Sequence, residues 1–307
     1  MLDEPLLERH RVLRPQLRAF LTLVEGLIGK WQTLTGHPGF RKTPFVTLYR
    51  LLIWRLRCWL SLPATVTLQK WGSRLHVPAL WLGAGKMIFV FRESCETELK
   101  HLDHFVSPGM TFLDIGANYG IYTVAAASLV GSSGRVFSFE PCLDTFAILS
   151  KNVESNGLRN VRLFGLALSN RDGEARLYHH ERGADKFFLG TTTGNNLEFE
   201  EVMTRTLDSV FCDEMAGIDF IKIDVEGAEE LVLRGAEKII NENHPTILLE
   251  INYEAARRLA LDPHGALSLL GHWGYQFFAL SEAGELRAMP YPSLGGNVIA
   301  VHGKPDR

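Results

Sequence analysis

Apolar positions along this chain follow three patterns in turn. Over residues 5–29, Leu6, Leu13, Leu17, Phe20, Val24, Leu27 and Ile28 fall near one helical face, with Arg9, Arg11, Arg14 and Arg18 largely beside it. A Gly36-His-Pro-Gly break follows, and Phe45 to Leu62 repeats the theme with Trp54, Trp59, Arg50, Arg55 and Arg57. Residues 64–92 switch to alternation, as in Thr65-Val-Thr-Leu and Arg74-Leu-His-Val around Trp71-Gly-Ser, which predicts a small β-hairpin. From residue 93 short apolar runs alternate with helical segments. The expected elements are helix 96–105, strand 111–115, helix 119–129, strand 135–139, helix 143–156 and strand 160–166. They continue as a hairpin turn at Arg171-Asp-Gly-Glu, strand 218–224, helix 226–240, strand 245–251, helix 253–271 and strands 275–280 and 296–302. Gly157 after Asn156 is a helix stop. Alternating strands and crossover helices predict an α/β fold with a doubly wound sheet. Three segments result: a helical extension over 1–62, a hairpin lead-in over 63–92 and an α/β domain over 93–307.

Charge sharpens this division. Residues 1–92 hold 14 Lys and Arg against 4 Asp and Glu, whereas residues 93–307 hold 18 against 31. Arginines interrupt every apolar run of the extension well short of the roughly 20 residues that a span requires, so neither helix is a transmembrane segment. Two readings of the basic helices stay open. They pack on the following domain or on a second subunit, the plainer case, or they lie on an anionic membrane surface. The net charge of −3 over 307 residues gives no reason to expect nucleic acid. Cysteines at 58, 95, 142 and 212 form no CxxC pair, so neither a zinc site nor a disulfide framework is expected. With no secretory signal at the amino terminus, a cytoplasmic location is expected, possible membrane-surface contact through residues 1–62 aside.

The most informative stretch is Phe112-Leu-Asp-Ile-Gly-Ala-Asn-Tyr-Gly, a strand that breaks into a tight turn before Ile121-Tyr-Thr-Val-Ala-Ala-Ala. Gly116 and Gly120 allow close backbone approach to a ligand, and Asn118 with the free amides of the helix start supplies donors. Twenty residues after Gly120, the apolar run Val136-Phe-Ser-Phe ends on Glu140. A carboxylate at the tip of the second strand of a βαβ unit can accept hydrogen bonds from both ribose hydroxyls of an adenosine. A dinucleotide requires three glycines around its pyrophosphate, and here Asn118 replaces the middle one. Asp114 would repel a pyrophosphate but can pair with an amino group such as that of a methionine moiety. S-adenosylmethionine therefore fits better than NAD. A plain strand-to-helix connection is the alternative, and Asp114 and Glu140 together argue against it.

The runs Asp114-Ile-Gly-Ala-Asn-Tyr-Gly, Phe139-Glu-Pro, Thr206-Leu-Asp and above all Phe220-Ile-Lys-Ile-Asp-Val-Glu-Gly-Ala-Glu229 resemble the FkbM-type methyltransferases. The resemblance covers about residues 93–302 and does not reach residues 1–60. It implies a class I methyltransferase, Rossmann-like fold with S-adenosylmethionine as donor. It also implies methylation of hydroxyl groups, commonly on sugars of glycolipids, polysaccharides or glycosylated metabolites.

Ligand sites in such sheets form at the carboxyl ends of the strands. Asp114, Gly116, Asn118, Gly120 and Glu140 are therefore expected to hold the donor, with Leu166 or Ala167 near the adenine. Asp224 and Glu226 are the candidate catalytic groups, orienting the acceptor or accepting its proton. Lys222 alternates with them, so a structural pairing of Lys222 with an acid is the competing reading. His179 and His180, in the irregular stretch 178–200, mark a candidate acceptor loop, although two surface histidines would look the same. Asp224 with Glu250 suggests a divalent cation only weakly, and no metal is expected. His101-x-x-His104 reads as a structural surface pair. A nicotinamide oxidoreductase and a non-catalytic nucleoside-binding scaffold are the alternatives from other classes.

Overall fold

A computed structural model of the chain describes residues 34–80, 83–179, 198–211, 217–289 and 295–303, with the backbone alone at 187–189. The chain forms two compact units, Met1–Tyr49 and Arg50–Arg307. The expected helix over 5–29, His180 and the Gly- and Thr-rich run at 190–196 lie outside the described residues.

In the first unit the Gly36-His-Pro-Gly segment starts a helix, Pro38–Lys42. His37 caps it, its Nδ1 accepting from the Gly39 N–H at 3.0 Å, and Pro38 occupies the first turn, where a missing N–H costs nothing. A second helix, Pro44–Trp59, follows at once and runs on into the second unit.

The second unit opens with the expected hairpin, β1 (Ala64–Leu68) and β2 (Ser73–Val77), paired antiparallel with Ala64 opposite Val77. Its alternate residues Val66, Leu68, Leu75 and Val77 are fully buried. The helix Ala84–Phe91 comes next, and the hairpin reading of 63–92 had no place for it. Ile88, Phe89, Val90 and Phe91 are all buried there, a continuous apolar run that periodicity alone does not assign to helix or strand. Trp54 packs on Phe89 and donates its indole N–H to the Leu80 carbonyl at 3.0 Å.

The central sheet contains β3 (Thr111–Ile115), β4 (Arg135–Phe139), β5 (Val161–Phe164), β10 (Phe220–Ile223), β11 (Thr246–Ile251), β12 (Tyr275–Leu280), β13 (Leu286–Ala288) and β14 (Gly296–His302). Their order is β13-β12-β14-β11-β10-β3-β4-β5; β11, β10, β3, β4 and β5 are parallel and the others antiparallel. This is the expected doubly wound α/β sheet. Its strand order reverses between β10 and β3, where the crevice for a ligand opens.

A smaller sheet, ordered β6-β9-β7-β8, holds β6 (Ala167–Leu168), β7 (Gly173–His179), β8 (Phe187–Leu189) and β9 (Phe199–Arg205). The chain turns at 169–172 as expected, but β6 and β7 both pair with β9 and not with each other. Of the stretch 178–200 expected to be an irregular acceptor loop, residues 178–179, 187–189 and 199–200 are strand, and 180–186 and 190–197 lie outside the described residues.

Two expected long helices are each divided. Residues 226–240 become Glu229–Arg234 and Glu237–Asn243, and the break falls at Gly235, where a Cβ would lie 2.0 Å from the Ser169 carbonyl. Residues 253–271 become Tyr253–Arg258 and Gly265–His272, divided before Pro263, which disfavours helical backbone at the residue preceding it.

Two asparagines one helical turn apart fasten the hairpin to the α/β domain. On the helix Leu143–Ser155 and its C-cap, Asn152 bonds the N–H and C=O of His76 at 2.6 and 3.1 Å, and Asn156 bonds those of Arg74 at 2.8 and 2.6 Å. Their amides act as a missing neighbour strand for β2, satisfying an edge that would otherwise be open. Asn152 also donates to the Tyr119 carbonyl at 2.8 Å, which ties the hairpin to the turn after β3.

Candidate active site

The turn after β3 is folded tightly onto β10. Gly116 has φ 74°, and a Cβ there would sit 1.8 Å from the Asp224 carbonyl oxygen, so only glycine lets the two strand ends meet. The N–H groups of Gly116 and Ala117 both donate to the Phe139 carbonyl at 3.0 Å, and the Asp224 N–H donates to the Ile115 carbonyl at 3.0 Å. The ends of β3, β4 and β10 are thereby fixed around one cleft. Gly116, Asn118, Glu140, Ala167, Asp224 and Glu226 line it, with Phe139, Leu166, Leu168 and Leu177 as apolar wall. Its empty space is about 650 Å³, counted out to the solvent at its mouth.

Glu140 is the best-prepared group of the cleft. It is 5% exposed, its Oε2 accepting the Asn118 N–H at 2.9 Å and its Oε1 the Cys142 N–H at 3.0 Å. One bond per oxygen fixes the carboxylate and leaves lone pairs for a ligand. Burial pushes its pKa up to about 7, although both amides and the Lys222 charge oppose this. Two consequences follow in opposite directions. Ligand hydroxyls are accepted by the ionised form, so donor affinity should rise between pH 6 and 8, by up to about tenfold per pH unit below 7. The free protein should lose stability over the window from about pH 4.5 to 7, where the folded state retains a proton that the unfolded chain has released. Calorimetric titration and thermal melts across this range check both, and Glu140→Gln should flatten both.

Asp114 lies behind the cleft wall. It is fully buried on β3, with Oδ2 accepting from Thr123 Oγ1 at 2.6 Å and Oδ1 3.6 Å from Lys222 Nζ. The cleft lining does not include it. It sits opposite Lys222 on β10 and Ser138 on β4, so its charge serves the lysine behind the cleft wall and does not face a donor amino group. Gly120 is likewise behind the wall: it begins the helix Ile121–Val130 with φ 85°, and a Cβ would collide with Leu149 at 2.5 Å.

Lys222 is the centre of this second layer. Its ammonium donates to the Gly116 carbonyl at 2.8 Å, lies 3.4 Å from Asp224 Oδ2 and stands 5.5 Å over the Tyr122 ring. Burial alone would lower its pKa; the charges of Asp224, Asp114 and Glu96 outweigh burial and hold it above the usual lysine range. The expected pairing of Lys222 with an acid therefore exists, and it does not withdraw Asp224 from the cleft. The Asp224 side chain remains 36% exposed, against 0% for Asp114. Glu226 lines the cleft from a turn in which it adopts φ 51°, a conformation that costs a non-glycine residue energy.

Tyr122 and Glu96 were not anticipated. The buried Tyr122 hydroxyl donates to Glu96 Oε2 at 2.6 Å. Burial of that carboxylate pushes its pKa up, the Tyr122 bond opposes this and the Asp224 charge reinforces it. Glu96 thus belongs electrostatically to the cleft although it precedes β3 by fifteen residues. The only trace in sequence is a tyrosine in the first turn of a helix whose other residues are small or aliphatic.

His179 lies 3.5 Å from Glu200 Oε1. His101 and His104 bond the carbonyls of Glu282 and Gly284, a structural pair at a surface turn. Among the described residues no group of three or more His, Cys, Asp or Glu is placed to hold a metal ion.

The cleft fits an adenosyl sulfonium better than a dinucleotide. Glu140 at the tip of β4 can accept from ribose hydroxyls, the apolar wall suits an adenine, and the carboxylates of Asp224 and Glu226 in the lining would repel a pyrophosphate.

Comparison with known proteins agrees. A model of the methyltransferase FkbM domain matches residues 114–277. The 31-O-demethyl-FK506 methyltransferase FkbM of Streptomyces tacrolimicus is 28% identical over 187 residues, covering 51% of this chain and 71% of that protein. A probable cobalt-precorrin-6B C(15)-methyltransferase (decarboxylating) of Sulfurisphaera tokodaii is 36% identical over 86 residues, 27% of this chain and only 41% of that relative's length. The crystal structure of a methyltransferase FkbM from Methylobacillus flagellatus has 16% identity and a TM-score of 0.40, covering 71% of this chain and 53% of that one.

Proposed function

Because the chain belongs to the methyltransferase FkbM domain family, we propose that it transfers a methyl group from S-adenosylmethionine to a hydroxyl of a sugar, glycolipid, polysaccharide or glycosylated metabolite. Glu140 carries the donor half of this reading, since its carboxylate is held at the tip of β4 by two backbone amides and faces the cleft. Gly116, Asn118 and Ala167 line the donor side with it. When bound, the donor supplies a methyl group activated on a sulfonium, which leaves as a neutral thioether.

The chain's own task is to align the acceptor hydroxyl and take its proton. Asp224 does this at its exposed carboxylate, held in place by Lys222 from below. The acceptor oxygen gains the methyl group and its proton passes to Asp224, so charge balances. Glu226, across the same mouth, orients the acceptor. An oxygen acceptor is supported by the Streptomyces tacrolimicus relative, named for 31-O-demethyl-FK506. A cytoplasmic, reducing setting belongs to this reading, with Cys58, Cys95 and Cys142 as free buried thiols.

The test is a screen of donor-loaded protein against glycans, glycolipids and glycosylated metabolites, read by mass spectrometry for the mass gain of one methyl group. Gain on a carbohydrate hydroxyl supports the reading. Gain only on carbon or nitrogen centres would overturn its acceptor half.

A further inference from the structure

Twelve large hydrophobic side chains are exposed among the described residues, and nine of them lie between residues 45 and 62. Within the second unit they are Leu52, Leu56, Trp59, Leu60 and Leu62, of which Leu52 is 66% and Trp59 73% exposed. Leu52, Leu56, Trp59 and Leu60 recur at intervals that bring them to one face of the helix Pro44–Trp59 and its end. The opposite face is already in use. Trp54 and Cys58 are buried, and Arg50 donates to the Val90 carbonyl at 2.8 Å. Among the described residues the helix is therefore anchored on one side and bare on the other.

Charge points to what covers the bare side. In the second unit, residues 50–92 contain seven Lys and Arg and no Asp or Glu, with Arg50 committed to the Val90 carbonyl and Lys70 to Asp103. We propose that this face lies on an anionic lipid surface, with Trp59 and the leucines at the boundary of the acyl chains and the basic residues against the headgroups. Exposed Arg55 stands beside the stripe, and Arg57 follows it in the last helical turn. Insertion across the membrane is not involved, since no described helix is long and apolar enough to cross one. A second copy of the chain fits the face less well. The other exposed hydrophobics, Leu143, Phe199 and Met203, offer no comparable patch, and pairing the stripe with itself would oppose like charges. A lipid surface would set the enzyme beside membrane-bound acceptors, but the proposal stands whatever the acceptor is.

The full chain should co-sediment with phosphatidylcholine vesicles containing phosphatidylglycerol and not with phosphatidylcholine alone. Binding should be largely lost at roughly 0.5 M salt, where the Debye length has shrunk to a few ångströms. Leu56→Glu/Trp59→Glu should weaken it about tenfold or more with the melting temperature preserved, and Trp59→Gln should weaken it less. Failure of the full chain to sediment at low salt would overturn the proposal. So would vesicle binding that these substitutions leave unchanged, which would assign it to residues 1–33. A lowered melting temperature or a lost dimer in the variants, with vesicle binding intact, would show the face to be covered by protein.

Discussion

Asp224→Asn should lower turnover by roughly 10²-fold or more while donor affinity changes little. The substitution keeps the size and the hydrogen-bonding ability of the side chain and removes only its charge. Asp224 lines the cleft beside Glu226 with about a third of its surface open, so the acceptor hydroxyl can reach it. Its second role, facing Lys222, predicts a smaller and separate effect. Lys222 keeps Asp114 as a partner in the variant, so the melting temperature should fall only slightly. Steady-state kinetics and thermal melts on one preparation distinguish the roles. Full activity together with a clearly lowered melting temperature would make Asp224 a structural residue. Repeating the assay with EDTA and with added Mg²⁺ checks the same carboxylate as a metal ligand, and unchanged rates are expected.

Lys222→Met should cost about 3–5 kcal/mol of stability. It leaves Asp114, which is 0% exposed, without a counter-charge and with Thr123 as its remaining hydrogen-bond donor. The loss should shrink as pH falls from 7 towards 5. Burial already pushes the Asp114 pKa up and Lys222 opposes it, so removing the lysine raises it further and protonation neutralises the stranded group. Adding Asp114→Asn should restore part of the stability at pH 7. Chemical denaturation of the two variants at both pH values measures this. Donor affinity should fall too, because the Gly116 carbonyl loses the bond that steadies its turn.

The parts legible in sequence were those whose signal is local. Thr111–Ile115, Arg135–Phe139, Tyr275–Leu280 and Gly296–His302 occupy the expected ranges, because each is an apolar run set off by turn or polar residues. Gly116, Asn118, Glu140, Ala167, Asp224 and Glu226 meet in one cleft because strand ends carry them there, and strand ends can be read from the chain. What escaped depends on tertiary contact. The parallel pairing of β6 with β9 and the break at Gly235 are fixed by residues distant in sequence. The helix Ala84–Phe91 ends in four consecutive buried apolar residues, a run too short to show a helical period. The burial of Asp114 behind the cleft escaped for a related reason. Its strand is covered on both faces, and the registers opposite Lys222 and Ser138 turn it into a buried partner. A lone acid in one apolar strand and a lone lysine in another were the available clue.

The most direct test of the central claim is titration calorimetry of S-adenosylmethionine and NADH against the wild-type chain and a folded Glu140→Ala variant. The account predicts binding of S-adenosylmethionine and none of NADH. It predicts a loss of about 1.5–3 kcal/mol on Glu140→Ala, roughly 10- to 100-fold in affinity, for removing hydrogen bonds to a charged group. Preferential binding of NADH, or S-adenosylmethionine affinity unchanged in the folded variant, would contradict it.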